Sequence, residues 1–310
     1  MSVAATRRLT LAAVATNVAI VVTGGAVRLT GSGLGCPEWP TCSDGSVVPV
    51  ASAEVATWHQ AIEFGNRLLS FVVLAVALAA LVAVWRGRPR RRDQVRLAAA
   101  LVGGILGQGV LGGITVLTGL HPLIVAAHFL LSIGLIAIAV TLHHRVRTPD
   151  GPAEVVIRPE MRRVQHLLVG VVAVVLALGT LVTATGPHAG DVGTPRLGLD
   201  PRVTSQFHAD GVFLLLGLAT ALWYGLRATD APVRVQRSVA VLLGVSLAQG
   251  LIGYVQYFTG LPELLVGAHL LGACLVWIAA LTMWLSAVSR SPGVASDLRD
   301  DRGTVSTAPR

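Results

Sequence analysis

The sequence predicts an all-α polytopic membrane protein: eight transmembrane helices, arranged as two four-helix bundles related by a parallel repeat. Three observations predict it. Hydrophobic residues make up 53% of the 310 and charged residues only 13%, a balance unlike that of soluble domains. Eight apolar runs are long enough to cross about 30 Å of hydrocarbon, near 9–28, 62–85, 97–118, 123–142, 163–184, 205–226, 237–258 and 264–287. One stretch also occurs twice. Residues 106–131 align with 247–272 at a constant shift of 141, matching Gln108 with Gln249, Gly112 with Gly253, Thr118 with Thr259, Gly119 with Gly260 and His128 with His269.

Each half holds an even number of spans, so the halves share orientation and any site lies in the bundle cores. The expected organisation is an N-terminal half over 1–147 and a linker over 148–162, within a polar loop marked by Pro149, Gly151, Pro152 and Pro159. A C-terminal half follows over 163–288, then a tail over 289–310 expected to be disordered. Arg7 and Arg8 precede the first span. Its length, and the lack of a convincing small-residue cleavage site, favour a retained helix over a signal peptide.

All 24 basic residues are arginines, and the formal charge is +8. The arginines gather before span one, between spans two and three, four and five, and six and seven, and after span eight. By the positive-inside rule that side is cytoplasmic. The expectation is a multi-pass plasma-membrane protein with both termini cytoplasmic, and no nucleic-acid partner. The segments 29–61 and 185–204, and the turns near 119–122 and 260–263, then face outward. Cys36 and Cys42 fall in the first of these, where a disulfide can persist, structural or redox-active. Cys274 lies inside span eight and reads as a small buried hydrophobe.

Span one runs into GGAVRLTGSGLGCPEWPTC, where Arg28 is the first outer charge; a heme propionate or a lipid phosphate would suit it. Span two opens with His59, Glu63, Asn66 and Arg67. His59, Glu63 and Asn66 line one face by their spacing, and ionisable groups at membrane depth are functional candidates. An Arg–Glu pair that merely anchors the helix is the plainer reading. Spans three and four carry Gln108, a run of glycines from 103 to 113 suited to close packing, and His128. Span five echoes span one at a shift of 155, matching Gly24 with Gly179 and Gly31 with Gly186.

His208 and His269 begin alternate spans at similar depth, as two axial imidazoles on one heme iron would. In the first half His128 matches His269, whereas Asn66 matches His208 at a shift of 142. His59 lies two turns earlier on the same face, roughly 10 Å away. The N-terminal site is therefore either a His59–His128 pair or a site firmly ligated by His128 alone.

The motifs GGAVRLTGSGLGCPEWP at 24–40, IEFGNR at 62–67, TGLHPLIVAAH at 118–128, TATGPHAG at 183–190, FHADG at 207–211 and TGLPELLVGAH at 259–269 together resemble the heme A synthase family across all eight spans. The resemblance implies oxidation of the C8 methyl of heme O to a formyl group, with water-derived oxygen, giving heme A for cytochrome oxidase assembly. It implies a heme b on His208 and His269 as cofactor. Heme O would bind as substrate in the first half, on His128 and either His59 or Asn66. It implies Glu63 as catalytic carboxylate, with Arg67 beside it, and the cysteine pair at Cys36 and Cys42. A heme O synthase is the expected neighbour, and a quinone or other acceptor takes the electrons. The sequence departs from the family where Asn66 stands in place of the usual histidine. A di-heme b-type cytochrome passing electrons from quinol to a partner would use the same histidines.

Overall fold

The computed structural model describes residues 2–50 and 56–291. Its helices are α1 Val3–Leu29, α2 Thr57–Trp85, α3 Arg92–Leu117, α4 Pro122–Arg147, α5 Pro159–Thr185, α6 Pro201–Ala228, α7 Val233–Phe258 and α8 Glu263–Ser286. All eight are long and apolar enough to cross a membrane. They match the eight expected spans, and all but α8 run a few residues further because helical geometry continues into the polar flanks. Phe71, Val110, Phe213 and Val241 stand exposed on the outer surface of the bundles, as a lipid-facing surface allows.

Local chemistry sets the boundaries. Proline occupies the first turn of α4, α5 and α6, where its missing N–H costs nothing. Asp200 caps α6 by accepting from Arg202 N at 2.8 Å. The repeated Thr-Gly-Leu sequence ends α3 and α7 identically. Gly119 and Leu120 have φ of 58° and 59°, and Gly260 and Leu261 have 79° and 62°. The Leu120 and Leu261 amides turn back to Thr115 O at 2.9 Å and Gln256 O at 2.7 Å. Such left-handed closures satisfy the last carbonyls of a helix, and a proline stands directly before or at the start of the next one.

The helices form two four-membered rings. In the first, α1 packs on α2 and α4, and α3 on α2 and α4; in the second, α5 packs on α6 and α8, and α7 on α6 and α8. The rings meet where α8 lies on α1 and α4, and α4 on α5. At this seam the buried Trp277 indole donates to Ile133 O at 2.9 Å. Gly25 lies under Leu270, and Gly267 beside Leu29. A side chain at Gly25 would force the helices apart, the use small residues have in membrane packing.

The two ends of the bundle differ. At the arginine end, Arg145 pairs with Asp93 at 2.6 Å and Arg91 with Asp150 at 2.9 Å. A two-stranded antiparallel sheet, not expected from sequence, joins β1 Ala153–Val155 in the linker to β2 Val288–Arg290 after α8. Part of the expected tail is thus tied down, because edge-to-edge backbone pairing needs no side-chain pattern. Residues 292–310 of that tail lie outside the described residues. The opposite end, here the loop end, carries residues 30–50 and 186–200.

Candidate functional site

In the second ring, His208 on α6 and His269 on α8 face each other with ring centroids 6.3 Å apart. The Cε1–Nδ1 edge of each ring lies against a glycine: His208 on Gly179 of α5, and His269 on Gly253 of α7. His208 Nδ1 also meets Val175 O at 3.0 Å, which fixes the ring and leaves Nε2 for a metal. Metal–imidazole bonds of about 2 Å on each side, plus half a ring each, bring two axial imidazoles to roughly 6 Å between centroids. The spacing therefore fits a porphyrin iron between the two rings. Among the described residues no group of three or more His, Cys, Asp or Glu could hold a bare metal ion.

The first ring repeats this plan with one substitution. His128 on α4 lies against Gly112 of α3, as His269 lies against Gly253. Gln108 donates to His128 O at 2.8 Å, and Gln249 to His269 O at 2.7 Å. Even the buried unpartnered atoms recur, at His128 Nδ1 and Gln108 Oε1 and at His269 Nδ1 and Gln249 Oε1. Where α5 presents Gly179 to His208, α1 presents Gly24 to Asn66, whose Nδ2 lies 3.9 Å from the position of a Cβ at Gly24. The Asn66 Oδ1 accepts from the Thr23 hydroxyl at 2.7 Å. His59 is not brought to this position. Its ring sits in the first turn of α2 beside Gly31, in edge contact with Trp58 at 3.7 Å, and its carbonyl lies under Gly35.

A disulfide-closed loop covers the first ring only. Cys36 and Cys42 are bonded to each other, and both are fully buried. Glu63, 5% exposed, accepts from Cys36 N at 2.7 Å through Oε2 and pairs through Oε1 with Arg67 at 2.8 Å. Arg67 in turn donates to the carbonyls of Thr41 at 2.7 Å, Cys36 at 2.7 Å and Glu38 at 3.0 Å. The two charged residues of α2 thus pair with each other and together clamp the loop. From that loop the Trp39 indole reaches down onto Gly113 of α3, next to Gly112 and its histidine; a Cβ at Gly113 would lie 2.3 Å from the indole. Within the loop, Glu38 Oε2 accepts from Thr41 Oγ1 at 2.7 Å and Gly45 N at 2.9 Å. These bonds hold its carboxyl below the ordinary carboxylate range.

Arg28 lies elsewhere. Its Nη2 donates to Thr183 O at 2.6 Å and its Nε to His188 O, so α1 is tied to the last turn of α5 and the loop that follows it. Gly33 N to Gly190 O at 2.8 Å adds a second tie. Carbonyls, rather than a phosphate or carboxylate, occupy those two donors.

A sequence model described as COX15-CtaA, cytochrome oxidase assembly protein, matches residues 7–190, from α1 through the loop that receives Arg28. The chain belongs to the COX15-CtaA family. Heme A synthase of Methylobacterium nodulans is similar at 29% identity over 334 aligned positions, covering 88% of this chain and 90% of that one. Heme A synthase of Symbiobacterium thermophilum is 29% identical over 284, covering 84% and 89%. Heme A synthase of Methylobacterium radiotolerans is 33% identical over 203, covering 56% of this chain and 54% of that protein. The family match spans Glu63, Asn66 and His128, and the longer alignments cover most of the chain.

Sequence reasoning found the paired histidines and the polar residues of α2 but not what the latter hold. Main-chain carbonyls have no sequence signature, so the partners of Arg28 and Arg67 could not be read. The Trp39–Gly113 contact was equally hidden, because Gly113 is one of six glycines in α3. Of the others, Gly103, Gly107 and Gly109 face open space.

Proposed function

We propose that this chain is a heme A synthase, an oxidoreductase of the membrane that converts the C8 methyl of heme O to a formyl group. The observation that carries the reading is the His208–His269 pair at 6.3 Å in one half of a duplicated scaffold whose family and full-length relatives are those above. The overall change is R–CH3 + H2O → R–CHO + 4H⁺ + 4e⁻. Two rounds of two-electron oxidation and water addition give a geminal diol, which loses one water.

Heme O is the substrate of the first ring, with His128 on its iron. A b-type heme on His208 and His269 would supply one-electron transfer toward a quinone or other membrane acceptor. Glu63 is the proposed catalytic carboxylate. With both oxygens already accepting N–H bonds, it is suited to act as a fixed negative charge that favours positive character at the substrate's methyl carbon. Arg67 pairs with it at 2.8 Å and holds it in place. Trp39 and the disulfide loop limit water at that end of the ring. The arginine end is placed at the cytoplasmic face by the positive-inside rule, with the disulfide loop outside; a heme O synthase is the expected supplier.

A di-heme electron carrier is disfavoured because the matched family and the relatives aligned over most of the chain are heme A synthases. The test is expression in cells lacking heme A, with and without a heme O synthase. Acid-extracted hemes are separated by mass. Heme A appearing only when heme O is supplied is the expected result; protoheme alone under both conditions would refute the assignment.

A further inference from the structure

We propose that the first ring holds its porphyrin iron through His128 alone, and that Asn66 presents an amide N–H to an open coordination position opposite. The inference rests on the reading that this ring takes a heme. It turns on what this chain places where the repeat calls for a ligand.

The internal comparison defines the position. Gly24 and Asn66 stand to α1 and α2 as Gly179 and His208 stand to α5 and α6, while His128 and His269 match on α4 and α8. Asn66 is therefore the group that faces His128 across the ring. Its one atom able to ligate iron, Oδ1, accepts the Thr23 hydroxyl at 2.7 Å. That bond directs Oδ1 toward α1, and the NH2 group has donors and no lone pair to offer. It can hydrogen-bond a small molecule on the iron but cannot replace one.

His59 cannot move in to complete the pair. It lies seven residues, about two turns or 10 Å, toward the loop end. Bringing it level with His128 would require α2 to slide by that amount. The register of α2 is fixed against the loop at three successive positions: Gln60 to Val50 O at 2.9 Å, Glu63 to Cys36 N at 2.7 Å, and Arg67 to three loop carbonyls. Sliding would break them all together.

The consequence is a functional difference between two similar sites. The second ring, closed by two imidazoles, has no position for an added ligand. The first ring does, on the side of Asn66.

The test uses purified holoprotein with its natural hemes, reduced, with carbon monoxide as probe. Expected is a carbon monoxide difference spectrum from one heme, with the other remaining six-coordinate and low-spin. Asn66→His should abolish carbon monoxide binding and add a second low-spin bis-imidazole signal. His59→Ala should leave carbon monoxide binding unchanged. Asn66→Leu should keep binding and move the bound C–O stretch to higher frequency, because the N–H donor is lost. That variant stands in should Asn66→His fail to fold. Wild-type protein that binds no carbon monoxide but gains binding in His59→Ala would overturn the proposal in favour of His59. An unmoved C–O stretch in Asn66→Leu would remove the donor role. Heme A is scored in the same preparations: its formation without carbon monoxide binding sinks this inference alone, and binding without heme A sinks only the activity.

Discussion

At matched positions of the two rings, Gly24 faces Asn66 in one and Gly179 faces His208 in the other, while Gly112 and Gly253 each support a histidine. Carrying the same shifts further separates shared scaffold from added function. Glu63 corresponds to Ser205, Arg67 to Ala209, His59 to Pro201 and Gly113 to Tyr254. The second ring therefore has neither the Glu–Arg clamp nor a disulfide-closed loop, and where the first has Gly113 it has Tyr254, which stacks near Phe258 with centroids 6.3 Å apart. Glutamine, glycine and histidine on the third and fourth helices are common to both rings, and under the proposed function they hold heme. The carboxylate, the arginine, the disulfide loop and the asparagine belong to the first ring alone, and they are where substrate chemistry should be sought.

The largest expected effect comes from removing the shared part on one side. His269→Ala should eliminate the bis-imidazole spectrum of the second ring and with it heme A. His128→Ala should also eliminate heme A yet leave that spectrum intact. Equal spectral loss in both variants would mean the rings are not independent sites. Next comes the clamp. Glu63→Ala leaves Arg67 without its carboxylate and Cys36 N–H without its acceptor, at a cost of roughly 3 kcal/mol. Heme A should disappear and heme O accumulate, with the second ring's spectrum unchanged. Glu63→Gln can still accept the Cys36 N–H and should fold, while conversion falls about tenfold or more for want of the charge. Wild-type conversion by Glu63→Gln would assign Glu63 to holding the loop only.

A smaller effect is expected at Gly113. A methyl there meets the Trp39 indole, and overpacking of this kind costs about 1–3 kcal/mol. Gly113→Ala should lower heme A yield and raise protease sensitivity in the 36–46 loop, whereas Tyr254→Ala should do neither. The smallest concerns pH. Glu38's folded carboxyl titrates below its ordinary value because of its bonds to Thr41 and Gly45. Its contribution is then present above the ordinary carboxylate pKa and is lost as pH falls through the lowered one. Hydrogen exchange at Gly45, corrected for its intrinsic pH dependence, should accelerate only in that acid range, and Glu38→Gln should remove the acid-dependent step.

The fold was readable because lipid imposes a simple rule: a spanning segment must be apolar and helical throughout. Eight such runs could hardly be missed, and a histidine inside one is conspicuous, which is why His128, His208 and His269 stood out. The repeat then identified Asn66 as the odd member. What stayed hidden depended on backbone. Arg28 read as a charge awaiting an anion and Arg67 as a partner for Glu63, and the carbonyls that also receive them lie in another half or another loop. Glu63 read as a carboxylate free for chemistry, and its tie to Cys36 N could not be foreseen. The β1–β2 pair escaped because three residues carry no periodicity.

The seam between the rings is stitched at the loop end and at mid-depth: Arg28 and Gly33 onto the 183–190 segment, and Trp277 onto Ile133. A backbone nick near residue 149, ahead of β1, would cut none of these. Two separately translated fragments meeting at that point should find each other in the bilayer and rebuild a working protein, as a split reporter does.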